Sequence, residues 1–73
     1  MNWNLEGLYV NAAYLDVPVI GKVERSRVAF GGNVKHTIVL NPPIKLSFRG
    51  DELVNRLIIN HEDITRVRSN PDE

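Results

Sequence analysis

The chain has 73 residues, nine basic and nine acidic side chains and no cysteine, which allows one small domain and excludes a disulfide framework, a thiolate zinc cluster and a thiol nucleophile. A domain of this size buries only about 60% of the surface its unfolded chain exposes, so oligomerisation is the expected supplement to its core. A formal net charge of zero excludes strong overall attraction to nucleic acid or to a membrane. No apolar run reaches the roughly 20 residues of a bilayer span, and Met1-Asn2-Trp3-Asn4 lacks the basic-then-apolar profile of a signal peptide. A soluble, cytoplasmic protein without membrane contact is the expectation.

The first residues, with Trp3 and Leu5, suit a short helical turn or a loose arm, and Trp3 is a candidate cover for one open end of a barrel. Leu8, Val10, Ala12 and Tyr14 then alternate with Tyr9, Asn11 and Ala13, the period of a half-buried strand. Asp16 and Pro18 oppose a helix through Ala12 and Ala13, and Leu15-Asp16 is the expected turn into the next strand.

The stretch from Val17 to Leu40 organises the chain: two β-rich runs meet at Gly31-Gly32-Asn33. Its apolar residues begin on odd positions (Val17, Val19, Val23) and continue on even ones (Val28, Phe30). Strand side chains have period two, so this parity switch predicts a bulge or sharp bend. Gly21 is expected to permit a bend or a close backbone approach. After the turn, Val34, His36, Ile38 and Leu40 share one face, with Lys35 and Thr37 opposite. From Lys22 to His36 the chain carries four positive charges against one negative, if His36 is neutral. This makes a locally basic surface on a neutral protein, and equally an ordinary solvated strand face.

Asn41-Pro42-Pro43 is expected to close this hairpin, because neither proline can donate to a ladder. Residues 42–54 then form either a long loop or two short extended arms. Asn55–Asn60 and Ile64–Arg68 read as strands joined by a tight turn at His61-Glu62-Asp63. The polar tail 69–73 is expected to fray. The whole is one domain over residues 1–73: an all-β, strongly bent, five-stranded antiparallel meander of the small-barrel type.

The run from Leu57 to Val67 (LIINHEDITRV) resembles the second motif of the Sm and Sm-like (LSm, Hfq) RNA-binding proteins. Ile64 and Val67 match its apolar pair, while Asn60 and His61 stand where the motif usually has Arg-Gly. Gly21-Lys22-Val23 resembles the Gly-x-apolar element of the first motif, whose Asp-x-x-x-Asn loop is replaced here by Phe30-Gly31-Gly32-Asn33. From Trp3 to Asn70 the chain is similar to Sm-like proteins of cyanophage origin from marine samples. This resemblance implies an Sm-like barrel whose edge strands pair between protomers into a homo-oligomeric ring, pentamer to heptamer, in the cytoplasm of a host cell. It also implies that single-stranded RNA or DNA is held between the loop joining the second and third strands and the turn joining the fourth and fifth.

Carried over by position, the binding residues are Phe30 and Asn33 on one side and Asn60 and His61 on the other, with Arg27 and Lys35 as phosphate contacts. Rings can stack on bases and amides can bond base edges. Each residue also has a structural use. Phe30 ends an apolar run and suits a core; Asn33 suits a turn that needs positive φ; Arg25, Arg27 and Lys35 suit cross-strand pairs with Glu24. His36, on an apolar face, is expected to be buried and hydrogen-bonded, whereas His61 lies in a polar turn. With no His-x-x-x-His, Asp-x-Asp or nucleophile elbow, no catalysis, metal or cofactor is expected. Asp16, His36 and His61, and Glu62-Asp63 beside His61, are weak candidates for an enzymatic or metal site. A structural or adaptor ring in a phage assembly, without nucleic-acid binding, is the alternative function.

Overall fold

The computed structural model describes residues 3–46, 50 and 52–70. Five strands, β1 (Tyr9–Tyr14), β2 (Val17–Val28), β3 (Val34–Lys45), β4 (Leu53–Asn60) and β5 (Ile64–Arg68), form one antiparallel sheet in the order β4-β3-β2-β1-β5. The all-β, five-stranded, strongly bent architecture is the expected one. The sheet remains open between β4 and β5, so each of these strands has one edge with no partner strand among the described residues.

One face is buried. Val10 and Ala12 of β1, Val19 and Val23 of β2, Ile38 and Leu40 of β3, and Leu57 and Ile59 of β4 meet in the core with Leu5, Leu46 and Val54. Each large aliphatic side chain buried this way contributes about 1.5–3 kcal/mol relative to exposure. Strand β5 adds only the partly buried Ile64.

Irregularities in the ladder produce the bend. Between β2 and β3 the register steps from Val23↔Ile38 to Arg25↔Thr37, leaving Glu24 as the extra residue of a bulge. The expected parity switch is present, since Val19, Gly21 and Val23 face inward before it and Ser26 after it. Its occupants differ from the expectation: Val28 and Phe30 are exposed, and Phe30 entirely so. Strand β4 ends at Asn60 opposite Lys35, so the β2–β3 hairpin overhangs the sheet and its last apolar residues, Val28 and Phe30, face solvent. Gly21 serves a close approach, because a Cβ there would lie 2.7 Å from the carbonyl oxygen of Val39.

Strand β3 does not stop at the prolines. It runs on to Lys45, with a cis Asn41–Pro42 bond, and its pairing with β4 jumps from Val39↔Arg56 to Ile44↔Val54. The two prolines sit in the bulged stretch, where no ladder hydrogen bond is required of them. Of the stretch 42–54, residues 42–45 and 53–54 are extended as parts of β3 and β4, while 47–49 and 51, on which the choice between a long loop and two arms turns, lie outside the described residues.

The β1–β2 connection is the expected two-residue turn, with Leu15 at φ 48° and Asp16 at φ 67°. Two positive φ values characterise the turn whose twist matches a hairpin. At the N-terminal end, Leu8 N–H donates to the Leu5 carbonyl at 3.0 Å in a single turn, and Gly7 N–H and Val23 N–H donate to the Val23 and Leu8 carbonyls respectively. Trp3 is half-buried. Of the expected frayed tail, residues 71–73 lie outside the described residues. No helix among the described residues is long and apolar enough to cross a membrane.

Candidate functional site

The β2–β3 turn is built by glycine. Gly31 and Gly32 take φ of 90° and 86°, and Ala29 N–H donates to the Asn33 carbonyl at 2.6 Å. Asn33 itself does not occupy positive φ; Leu15 and Asp16 are the non-glycine residues that do among those described. Its amide is therefore not explained by turn conformation. At the end of β4, His61–Asp63 form one turn of 3-10 helix between Asn60 and Ile64, both extended. Asn60 Nδ2 donates to Asp63 Oδ2 at 3.4 Å across it.

These two connections, distant in sequence, converge. Gly32, Asn33, Val34, His61 and Glu62 line one shallow depression of about 230 Å³. Arg27, Lys35 and Asn60 stand in one row across β2, β3 and β4, directly opposite one another in register and hence on one face, the one opposite the buried Ser26 and His36. Of the six sequence candidates, Asn33 and His61 thus share the depression, Arg27, Lys35 and Asn60 form the row on the outer face and do not line it, and Phe30 projects from the overhanging hairpin tip with 104% relative exposure. Glu24 takes none of the expected partners. It binds Arg56 through Oε2 at 3.1 Å from Nε and Oε1 at 3.2 Å from Nη2, and this raises the Arg56 pKa through the hydrogen bond first and the charge second.

His36 is buried and hydrogen-bonded, as expected, but its partners were not apparent from the sequence. Its Nδ1 lies 2.7 Å from Ser26 Oγ and its Nε2 lies 2.8 Å from Nδ1 of His61, the ring centroids being 5.1 Å apart. Ser26 Oγ also accepts the Leu5 N–H at 3.0 Å, and the Glu6 carboxylate accepts the Ser26 N–H at 3.0 Å. Burial, and secondly the charge of His61, hold His36 below the ordinary histidine pKa. Ser26 is the residue that sequence reasoning missed. The available signal was its even position after the parity switch, which puts it directly across from His36.

A larger concavity of about 710 Å³ lies elsewhere on the sheet, along Tyr9, Ile20, Lys22, Val39 and Arg68, with Lys22 Nζ 5.7 Å from the Tyr9 ring centroid. None of the six candidates lines it. No cluster of three potential metal ligands occurs among the described residues, so Glu62-Asp63 with His61 does not form one. His36 and His61 do meet, while Asp16 sits exposed in the β1–β2 turn. Comparison with protein families, curated proteins and solved structures gives no match to this chain.

Proposed function

We propose that the chain is an Sm-like protein that assembles through β4 and β5 into a homo-oligomeric ring and binds single-stranded RNA or DNA at its rim without catalysing a reaction. The observation that carries this reading is the convergence of the β2–β3 turn and the β4–β5 turn on one depression holding Asn33 and His61. On this reading Arg27 and Lys35 supply phosphate contacts, which fix a strand without reading its sequence. Phe30, exposed at the hairpin tip, is free to stack on a base, for about 1–3 kcal/mol. Asn60 stands where the resembling motif has arginine, so a uridine preference does not carry over.

The open edges support the assembly half of the proposal. Ile58 on β4 and Val67 on β5 are 54% and 45% exposed, and unpaired edges with apolar side chains invite a second strand. A ring repeats one weak site, and repetition raises affinity through effective concentration.

Titration with short single-stranded RNA and DNA over a range of salt tests the function. Binding that weakens steeply with salt is expected; no binding at low salt, or binding indifferent to salt, refutes it. His61→Ala and Asn60→Ala should weaken binding while solution mass is unchanged. A second reading, a structural or adaptor ring of a phage assembly, is favoured by the zero net charge and by Phe30 as a protein-docking side chain. Nucleic acid copurifying with the ring supports the first reading, and capture by a phage structural protein the second.

A further inference from the structure

Ser26 and His36 are buried, at 7% and 0% exposure, so each of their polar hydrogens needs a partner. Ser26 Oγ already accepts the Leu5 N–H. A hydroxyl also brings one hydrogen of its own, and among the described residues His36 Nδ1 is the acceptor within reach, at 2.7 Å. Had His36 carried its hydrogen on Nδ1, the serine hydrogen would be buried without an acceptor, which incurs the full desolvation penalty of that group.

Satisfaction therefore sets the direction of the whole line. Ser26 O–H donates to His36 Nδ1; His36 carries its hydrogen on Nε2 and donates it across 2.8 Å to His61 Nδ1. His61, with Nδ1 occupied as an acceptor, keeps its own hydrogen on Nε2. We propose that this line makes His61 a dedicated hydrogen-bond donor of the depression, with Ser26 and His36 as its positioning residues, for a ligand that presents an acceptor oxygen.

Protonation preserves the donor, not the line. A proton added at His61 Nδ1 opposes the His36 N–H and turns the line round, so that His36 Nδ1–H faces Ser26 Oγ and the serine hydrogen loses its acceptor, which penalises this state without removing the hydrogen from His61 Nε2. His61 Nε2–H is a donor in both states. The form of His61 that accepts at Nε2 is excluded from each. The carboxylates nearby, Glu62 in the depression and Glu6 on the Ser26 N–H, accept only and cannot reverse this polarity.

The donor discriminates by chemistry. At position 4 thymine carries a carbonyl oxygen and cytosine an amino group, whereas both carry the O2 carbonyl. A donor-only site accepts the carbonyl and leaves the amino group facing an N–H. The oxygen can belong to such a base or to a phosphate. The proposal rests on the nucleic-acid reading for the identity of the ligand alone; the hydrogen positions are independent of it.

Long-range proton–nitrogen NMR of the imidazoles in the free protein at alkaline pH decides those positions. Hydrogen on Nε2 of both rings is expected, and hydrogen on Nδ1 of either overturns the proposal. In Ser26→Ala the hydroxyl is gone and mixed tautomers should appear at His61, while Ser26→Thr should retain one; a folded Ser26→Ala protein with an unchanged single tautomer removes Ser26 from the line. If that variant fails to fold, the wild-type spectrum still decides.

The ligand half is tested with oligothymidine, oligodeoxycytidine and an abasic strand against wild type and His61→Ala. A loss of roughly 3- to 10-fold on thymidine alone assigns the position-4 carbonyl, a loss on both base-bearing strands but not on the abasic one assigns the shared O2 carbonyl, and an equal loss on all three assigns a phosphate. No loss on any strand that binds refutes His61 as the ligand donor. A protein with hydrogen on both Nε2 atoms that binds no strand at low salt refutes the nucleic-acid reading and leaves the hydrogen-bond line intact.

Discussion

Two polar lines cross from β2 to the end of β4, one inside the sheet and one outside. The inner line, Ser26–His36–His61, is closed at each step by a bond of 2.7–2.8 Å and is anchored by Leu5 N–H. The outer line, Arg27–Lys35–Asn60, follows neighbouring positions on the same strands and places two like charges directly opposite each other. Burial makes the difference. Inside, a missing partner exposes the desolvation penalty of its neighbour; outside, water replaces any partner and salt screens any charge. The inner line can hold one geometry rigidly, whereas the outer line can contribute charge without fixing position.

Removing the centre of the inner line should have the largest effect. His36→Ala leaves a cavity and the buried Ser26 hydroxyl without its acceptor, so a loss of about 3 kcal/mol is expected in urea denaturation, against a change within about 0.5 kcal/mol for Lys35→Ala. A smaller, pH-dependent loss follows from the lowered His36 pKa. The unfolded chain binds a proton at His36 near the ordinary value of 6.5, the folded protein only at lower pH. The contribution is therefore complete above 6.5 and is lost as pH falls from there to the depressed value. Thermal melts between neutral and mildly acidic pH should show this fall, and His36→Gln should flatten it.

The outer line should answer differently. Arg27→Gln and Lys35→Gln should weaken single-strand binding uniformly across sequences and reduce the salt slope by about 0.7 for each phosphate no longer neutralised. Because the two cations face each other, each change should leave stability level or raise it by a few tenths of a kcal/mol. Smallest of all is the exposed Glu24–Arg56 pair: Glu24→Gln should leave the melting temperature unchanged within error. A Lys35 variant that destabilised as much as His36→Ala would erase the distinction between the two lines.

Much of the fold was legible because it follows from period-two patterning. The alternation through Leu8–Tyr14 and Val34–Leu40 identified the buried faces, and the odd-to-even change after Val23 announced the bulge. The overhang of the β2–β3 hairpin was not legible, since where β4 ends relative to β3 is a matter of register between distant segments; this is why Phe30 and Val28 read as core and stand exposed. The prolines of β3 misled for a related reason, because the ladder skips them. At the candidate site, His61 and Asn33 could be named through the resemblance of the two turns to the Sm-like motifs. The meeting of His36 and His61, 25 residues apart, could not, as no local pattern encodes which buried polar group meets which exposed one.

The Leu15–Asp16 turn has a further implication. Two consecutive left-handed residues without a glycine, the first of them an exposed leucine, keep the first hairpin under torsional strain that its strand pairing must offset. Neither residue lines the depression. The hairpin is thus a reserve for engineering: an asparagine-glycine pair at these positions would relax the turn and harden the scaffold while leaving the candidate rim as it is.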